Sequence, residues 1–261
     1  MGSPVVVGVD GWDSRPAVDF AADEALRRHL PLRLVHAFPL ESHSAGTLVG
    51  LDLGGLLAGA RTVLDTLAAQ LQRRYSELAV STAVRHGYPA GVLIEESHHA
   101  DLVVIGAGSV SAQVVAHAEA PVVVVRAPAA VDCVVVGVDG SPGSATALGF
   151  GFEEADARGL PLIAVYAWAE LPDGQEDAER MLAEATAGWA DKYPDVAVER
   201  CAVHGPSPAP ALLSQGCDAV LFVVGPRGRS GLAGMLLGSV SDGLLGHARC
   251  PVAVVHQRSQ A

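Results

Sequence analysis

The chain has 261 residues, of which 50% are hydrophobic and 18% charged. That composition excludes a disordered chain, and no apolar run approaches the roughly 20 residues of a membrane helix. Seventeen basic residues stand against 29 acidic ones, a net charge of −12, which argues against a whole-chain nucleic-acid binder but leaves small anions open as ligands.

The start, Met1-Gly2-Ser3-Pro4, has no basic cluster ahead of a long apolar stretch, which predicts a cytoplasmic protein. The apolar run 5–10 then predicts a strand, and 16–29 has the spacing of a helix, with Val18, Ala21, Ala22, Ala25 and Leu26 on one side. A strand over 32–38 follows. A looser glycine-bearing stretch leads to a helix over 61–78. Strands over 81–86, 102–105 and 121–126 enclose a helix over 90–99. A short Pro/Ala hinge, Arg126-Ala127-Pro128-Ala129-Ala130, closes this half.

Beyond the hinge the pattern repeats. Val6-Val7-Gly8-Val9-Asp10-Gly11 returns as Val135-Val136-Gly137-Val138-Asp139-Gly140, and Leu30-Pro31-Leu32 as Leu160-Pro161-Leu162. Gly108-Ser109-Val110-Ser111 returns as Gly238-Ser239-Val240-Ser241, and His117-Ala118 with Pro121-Val122 as His247-Ala248 with Pro251-Val252. Every match keeps its order at a separation of 129 or 130 residues. Two homologous halves follow, 1–127 and 131–261. Strands are expected over 134–139, 162–168, 196–204, 219–224 and 252–256. Near-continuous Val/Ile/Leu runs suit parallel strands buried on both faces, so the fold class is α/β: two tandem doubly wound, five-stranded, Rossmann-like domains.

In such sheets ligands bind beyond the carboxyl ends of the strands. Two features of the second half fall there. One is Asp139-Gly140-Ser141 after its first strand. The other is the stretch from Gly225 through Arg227, Gly228 and Arg229 to Gly238-Ser239 after its fourth. Side-chain-free positions let the backbone take positive φ and approach a ligand. Gly238-Ser239 opens a helix, whose start favours an anion. Arg227 and Arg229 supply charge, and the only lysine in the chain is Lys192. A plain surface loop with Ser239 as a helix cap accounts for the same glycines.

The pair Asp139-Gly140-Ser141-Pro142 and Gly225-x2-Gly228-x9-Gly238-Ser239 resembles the universal stress protein family and the ATP signature of its nucleotide-binding branch. The closing Pro251-Val-Ala-Val-Val is also similar to the family's last strand. The resemblance implies ATP, with or without magnesium, and a stress-response role. Carried onto this chain it puts Val138, Asp139 and Gly140 at the ribose and adenine end, with a backbone contact from Ala167. It puts Gly225, Arg227, Gly228, Gly238, Ser239 and Val240 around ribose and phosphates. It also implies that the last strands pair, so that the halves form an intrachain pseudo-dimer, with a further homodimer compatible but not required.

The first half departs from this pattern. It has one residue, Ala107, between Gly106 and Gly108, where the second has twelve between Gly225 and Gly238. Trp12 stands in place of Ser141. ATP binding is therefore expected in the second half alone, with the stretch 46–59 covering the vacated cleft. Two alternatives remain. One is a slow ATPase or phosphotransferase using His204 as base. The other is a nucleotide-independent interaction module whose acidic second half favours basic partners. The four cysteines, Cys133, Cys201, Cys217 and Cys250, form no CxxC and fit no zinc pattern.

Overall fold

The computed structural model describes residues 2–38, 53–126, 131–169, 174–216, 218–228 and 237–257. In the first half, strands β1 (Val5–Gly8), β2 (Leu32–Phe38), β3 (Val80–His86), β4 (Leu102–Gly106) and β5 (Val122–Val125) alternate with helices α1 (Arg15–Arg27), α2 (Leu53–Arg74), α3 (Pro89–Ser97) and α4 (Ser111–His117). The second half repeats them as β6 (Val131–Gly137), β7 (Leu162–Trp168), β8 (Val198–His204), β9 (Ala219–Val224) and β10 (Val252–Val254), with α5 (Pro142–Arg158), α6 (Gln175–Lys192), α7 (Pro208–Gly216) and α8 (Ser239–His247).

All ten strands form one sheet, ordered β3-β2-β1-β4-β5-β10-β9-β6-β7-β8. Pairing is parallel within each half. Among the described residues the one antiparallel pair joins them, β5 to β10, in the register Val252↔Val124, Ala253↔Val123 and Val254↔Val122. Each last strand would otherwise leave an apolar edge open to other chains; here each covers the other. In each half the strand order reverses beside the first strand, between β1 and β4 and again between β6 and β9. Alternate side chains feed two cores. Val5, Val7 and Val9 pack towards α1 and α2, while Val6 and Ile105 pack towards α3 and α4.

Four ionic residues also join the halves. Arg28 reaches Glu154, and Arg158 reaches Glu24, while each arginine also pairs with the glutamate of its own helix. Arg28 lies over the Phe150 ring and Arg158 over Phe20. The numbers 20/150, 24/154 and 28/158 all differ by the repeat length, so the contact is one surface turned on itself by a two-fold. Glu24 and Glu154 are almost wholly buried. Burial pushes both carboxyls up. Arg158, Arg27 and Arg28 outweigh it at Glu24 and hold that group low, whereas burial and the Glu24 charge keep Glu154 high.

Two expectations change at element ends. The helix expected over 61–78 begins at Leu53 and closes at Arg74, so Gly54, Gly55 and Gly59 are helical rather than loop. Of the stretch 46–59, residues 46–52 lie outside the described residues. Strand β1 ends at Gly8 rather than Asp10, because the chain turns there into a single 3₁₀ turn over Trp12–Ser14. Cys133, within β6, and Cys250, just before β10, are buried as small apolar groups, and Cys217 is outside the described residues. Among the described residues no helix is long and apolar enough to cross a membrane.

Candidate functional site

A cleft of about 440 Å³ opens at the carboxyl end of the second half's strands, at the reversal between β6 and β9. Val138, Asp139, Ala167, Gly225, Arg227, Gly228, Gly238, Ser239 and Val240 line it. Gly140 does not. It makes the turn beneath, with φ of +76°, and so acts on the shape of the loop rather than on the cleft surface.

The β6–α5 turn is tightly self-bonded. Asp139 Oδ1 accepts the Ser141 amide at 2.9 Å, an Asx turn. The Ser141 hydroxyl caps α5 by accepting the Ser144 amide at 3.2 Å. Ser144 Oγ in turn accepts the Asp139 amide at 3.3 Å. This fixes the carboxylate at the centre of the cleft.

The glycines serve close approach rather than positive φ, which corrects the expectation. Positive φ occurs at Gly140 and not at Gly225, Gly228 or Gly238; Gly238 is an extended helix cap with φ of −75°. A β-carbon on Gly228 would lie 2.4 Å from Asp139 Oδ2, and one on Gly225 would lie 2.8 Å from the Gly143 carbonyl carbon. The far end of the cradle is tied back by the Gly238 amide, which donates to the Pro226 carbonyl at 2.8 Å, and by Ser241 Oγ, which donates to Gly225 O at 2.7 Å. Ser239 is thereby the first residue of α8, not its cap. Arg229 and the rest of 229–236 lie outside the described residues.

Sequence reasoning missed the walls: Tyr166, Pro208, Leu212, Val224 and Leu237. They belong to apolar runs that look like ordinary core. The lining therefore combines apolar side chains, one carboxylate, a helix start and Arg227, a mixture of apolar and anion-favouring surface. Among the described residues no three His, Cys, Asp or Glu groups could together hold a metal ion. His204 is not in the lining: its Nε2 lies 3.2 Å from the Ala169 carbonyl oxygen and its ring rests 4.5 Å from that of Trp168.

The first half keeps one tie-back, Ser111 to Gly106 as Ser241 to Gly225, but lacks the long loop between. Ser111 Oγ accepts the Gly108 amide at 2.9 Å and donates to Gly106 O at 3.2 Å, closing the short loop on itself. His36, the mate of Tyr166, has Nδ1 2.7 Å from the Val9 carbonyl oxygen. Trp12 projects into solvent, 54% exposed.

Two Rossmann-like halves sharing a sheet, with a cleft at one switch point, define a tandem α/β protein with a candidate ligand site in its second half. The universal stress protein family model matches residues 1–126 and again 131–256, and the chain belongs to that family. It is similar to a universal stress protein of Mycobacterium tuberculosis, 37% identical over 286 aligned residues that cover 97% of each chain. A universal stress protein structure from Archaeoglobus fulgidus shares the fold, with a TM-score of 0.77 at 19% identity, covering 98% of this chain and 97% of that one. A shorter universal stress protein, solved in complex with cAMP, is 33% identical and covers 48% of this chain and 96% of its own, with a TM-score of 0.40.

Proposed function

We propose that this chain binds one ATP, with or without magnesium, in its second half, and acts as a nucleotide-dependent regulatory protein of the stress response. The carrying observation is the contact of Gly228 with Asp139, since only a residue without a side chain lets the cradle close over that carboxylate. In this reading Val138 and the Ala167 backbone face adenine between Leu212, Val224 and Tyr166, and Asp139 accepts from ribose hydroxyls. The amides of Ser239 and Val240, the Ser239 hydroxyl and Arg227 receive the phosphates, with Gly238 held beside them by its own bond to Pro226 O. A helix start and a guanidinium favour a polyphosphate over a neutral nucleoside.

The first half is the scaffold. It lacks the eleven cradle residues, its Gly108 amide is committed to Ser111 Oγ, and its Val9 carbonyl is engaged by His36. Pairing of β5 with β10 supports an intrachain pseudo-dimer, in which this half supplies the surface that a second copy would otherwise provide. Arg85 on β3 and Glu199 with Arg200 on β8 guard the two sheet edges against further strand pairing.

The test is equilibrium binding of ATP, ADP and AMP to the purified chain, with and without magnesium, alongside chromatography of ligand released by acid. We expect about one equivalent of adenine nucleotide per chain. A well-folded sample that neither carries nor binds any of the three refutes the reading and leaves a nucleotide-independent interaction module.

A further inference from the structure

Helix α8 starts at the cradle and ends at the seam between the halves. Its last carbonyls have no amides within the helix to accept from. Ala248 returns its amide to Leu244 O, and the Leu245 carbonyl accepts from the guanidinium of Arg126, which arrives from the other half just past β5. The two-fold repeats this contact. Residue 256 is the mate of 126, and 115 is the mate of 245. There His256 Nε2 lies 2.7 Å from the Val115 carbonyl of α4.

The two copies differ in charge. Burial, with the nearby Arg227 charge, outweighs the Val115 contact and holds the His256 imidazole below its ordinary value. A ring that is mostly neutral near neutral pH therefore caps α4, the helix whose cradle loop is missing. A permanent cation caps α8, the helix whose first turn lines the cleft. From Leu245 to Ser239 the helix rises about 9 Å, beyond the roughly 8 Å screening length of physiological salt, so the guanidinium reaches the cleft by fixing the helix end rather than by its distant charge.

We propose that Arg126 is a positioning residue for the nucleotide site: from the half without a cradle, it holds the C-terminal end of α8 so that the Ser239 and Val240 amides face the phosphates. This inference rests on the nucleotide reading above. It gives the first half a part in binding that its own sequence does not perform. Arg126 touches no ligand and acts only through α8.

The test measures ATP, AMP and adenosine affinities of the full chain by calorimetry for the wild type, Arg126→Met and Arg126→Lys. The α8 amides meet the phosphates and not the base or sugar, so Arg126→Met should weaken ATP about two- to fivefold, AMP less, and adenosine least. Arg126→Lys, which can still donate to Leu245 O, should keep most of the ATP affinity. If Arg126→Met does not fold, Arg126→Leu, which also removes the donor, takes its place under the same expectations. Wild-type ATP affinity in the neutral variant, or equal loss for ATP and adenosine, would overturn the proposal by marking a purely structural arm. A wild type that binds none of the three refutes the reading of the cleft itself, and this inference with it.

Discussion

Replacing Gly228 with alanine places a β-carbon 2.4 Å from Asp139 Oδ2, about 1 Å inside the 3.4 Å at which ordinary contact begins. The backbone at Gly228 has no positive φ, so alanine carries no conformational penalty and the clash acts alone. The carboxylate must turn away, and Oδ1 then gives up its 2.9 Å bond from the Ser141 amide. Hydrogen bonds to charged groups are each worth about 1.5–3 kcal/mol. Loss of one such bond between Asp139 and a ribose hydroxyl therefore lowers ATP affinity roughly 10- to 150-fold. A control change in the first half, Gly108→Ala at the mate of Gly238, meets nothing within 4 Å and is expected to leave ATP affinity unchanged. Calorimetric titration of the two variants beside the wild type decides the matter. Wild-type affinity in Gly228→Ala, or an equal loss in Gly108→Ala, would refute the reasoning.

Other perturbations test the frame around the cleft. A β-carbon at Gly225 meets backbone of Gly143, which cannot swing aside as a side chain can. Gly225→Ala should therefore lose about 1–3 kcal/mol of stability in urea unfolding as well as nucleotide affinity. Arg158→Met leaves Glu24 and Glu154 facing each other with Arg158 gone from between them. We expect a loss of about 3–5 kcal/mol, and a change under 1 kcal/mol would count against the quartet as a joint between the halves. The lowered His256 value has a definite sign. Between its folded value and the ordinary 6.5 the unfolded chain binds more protons, so stability rises with pH across that window and falls as pH drops through it. His256→Gln should flatten this acid-side slope, and an unchanged slope in urea midpoints from pH 5 to 7 would assign it to other groups.

The tandem fold was legible because burial on both sheet faces writes itself as valine runs, and because Val6–Gly11 and its repeat keep a fixed separation. The cleft's polar rim was legible through Asp139, the cradle glycines and Ser239, whose types follow from backbone approach and anion chemistry. Its apolar walls were not, since Leu212 and Val224 obey the same burial pattern as true core. The physical reason for Gly228 was also hidden, because it lies in a contact with Asp139, 89 positions earlier. The seam quartet left a readable trace, Glu24/Glu154 and Arg28/Arg158 at one repeat spacing, but charged residues in helices ordinarily face water. Only the antiparallel β5–β10 pairing brings α1 and α5 close enough to bury them.

The asymmetry between the halves is tested most directly by a crystal structure of the chain grown with ATP and magnesium. We expect one nucleotide per chain, lying between β6 and β9, with its phosphates at Ser239 and its ribose beside Asp139. Nucleotide beside Asp10 in the first half, or phosphates placed away from the start of α8, would contradict it.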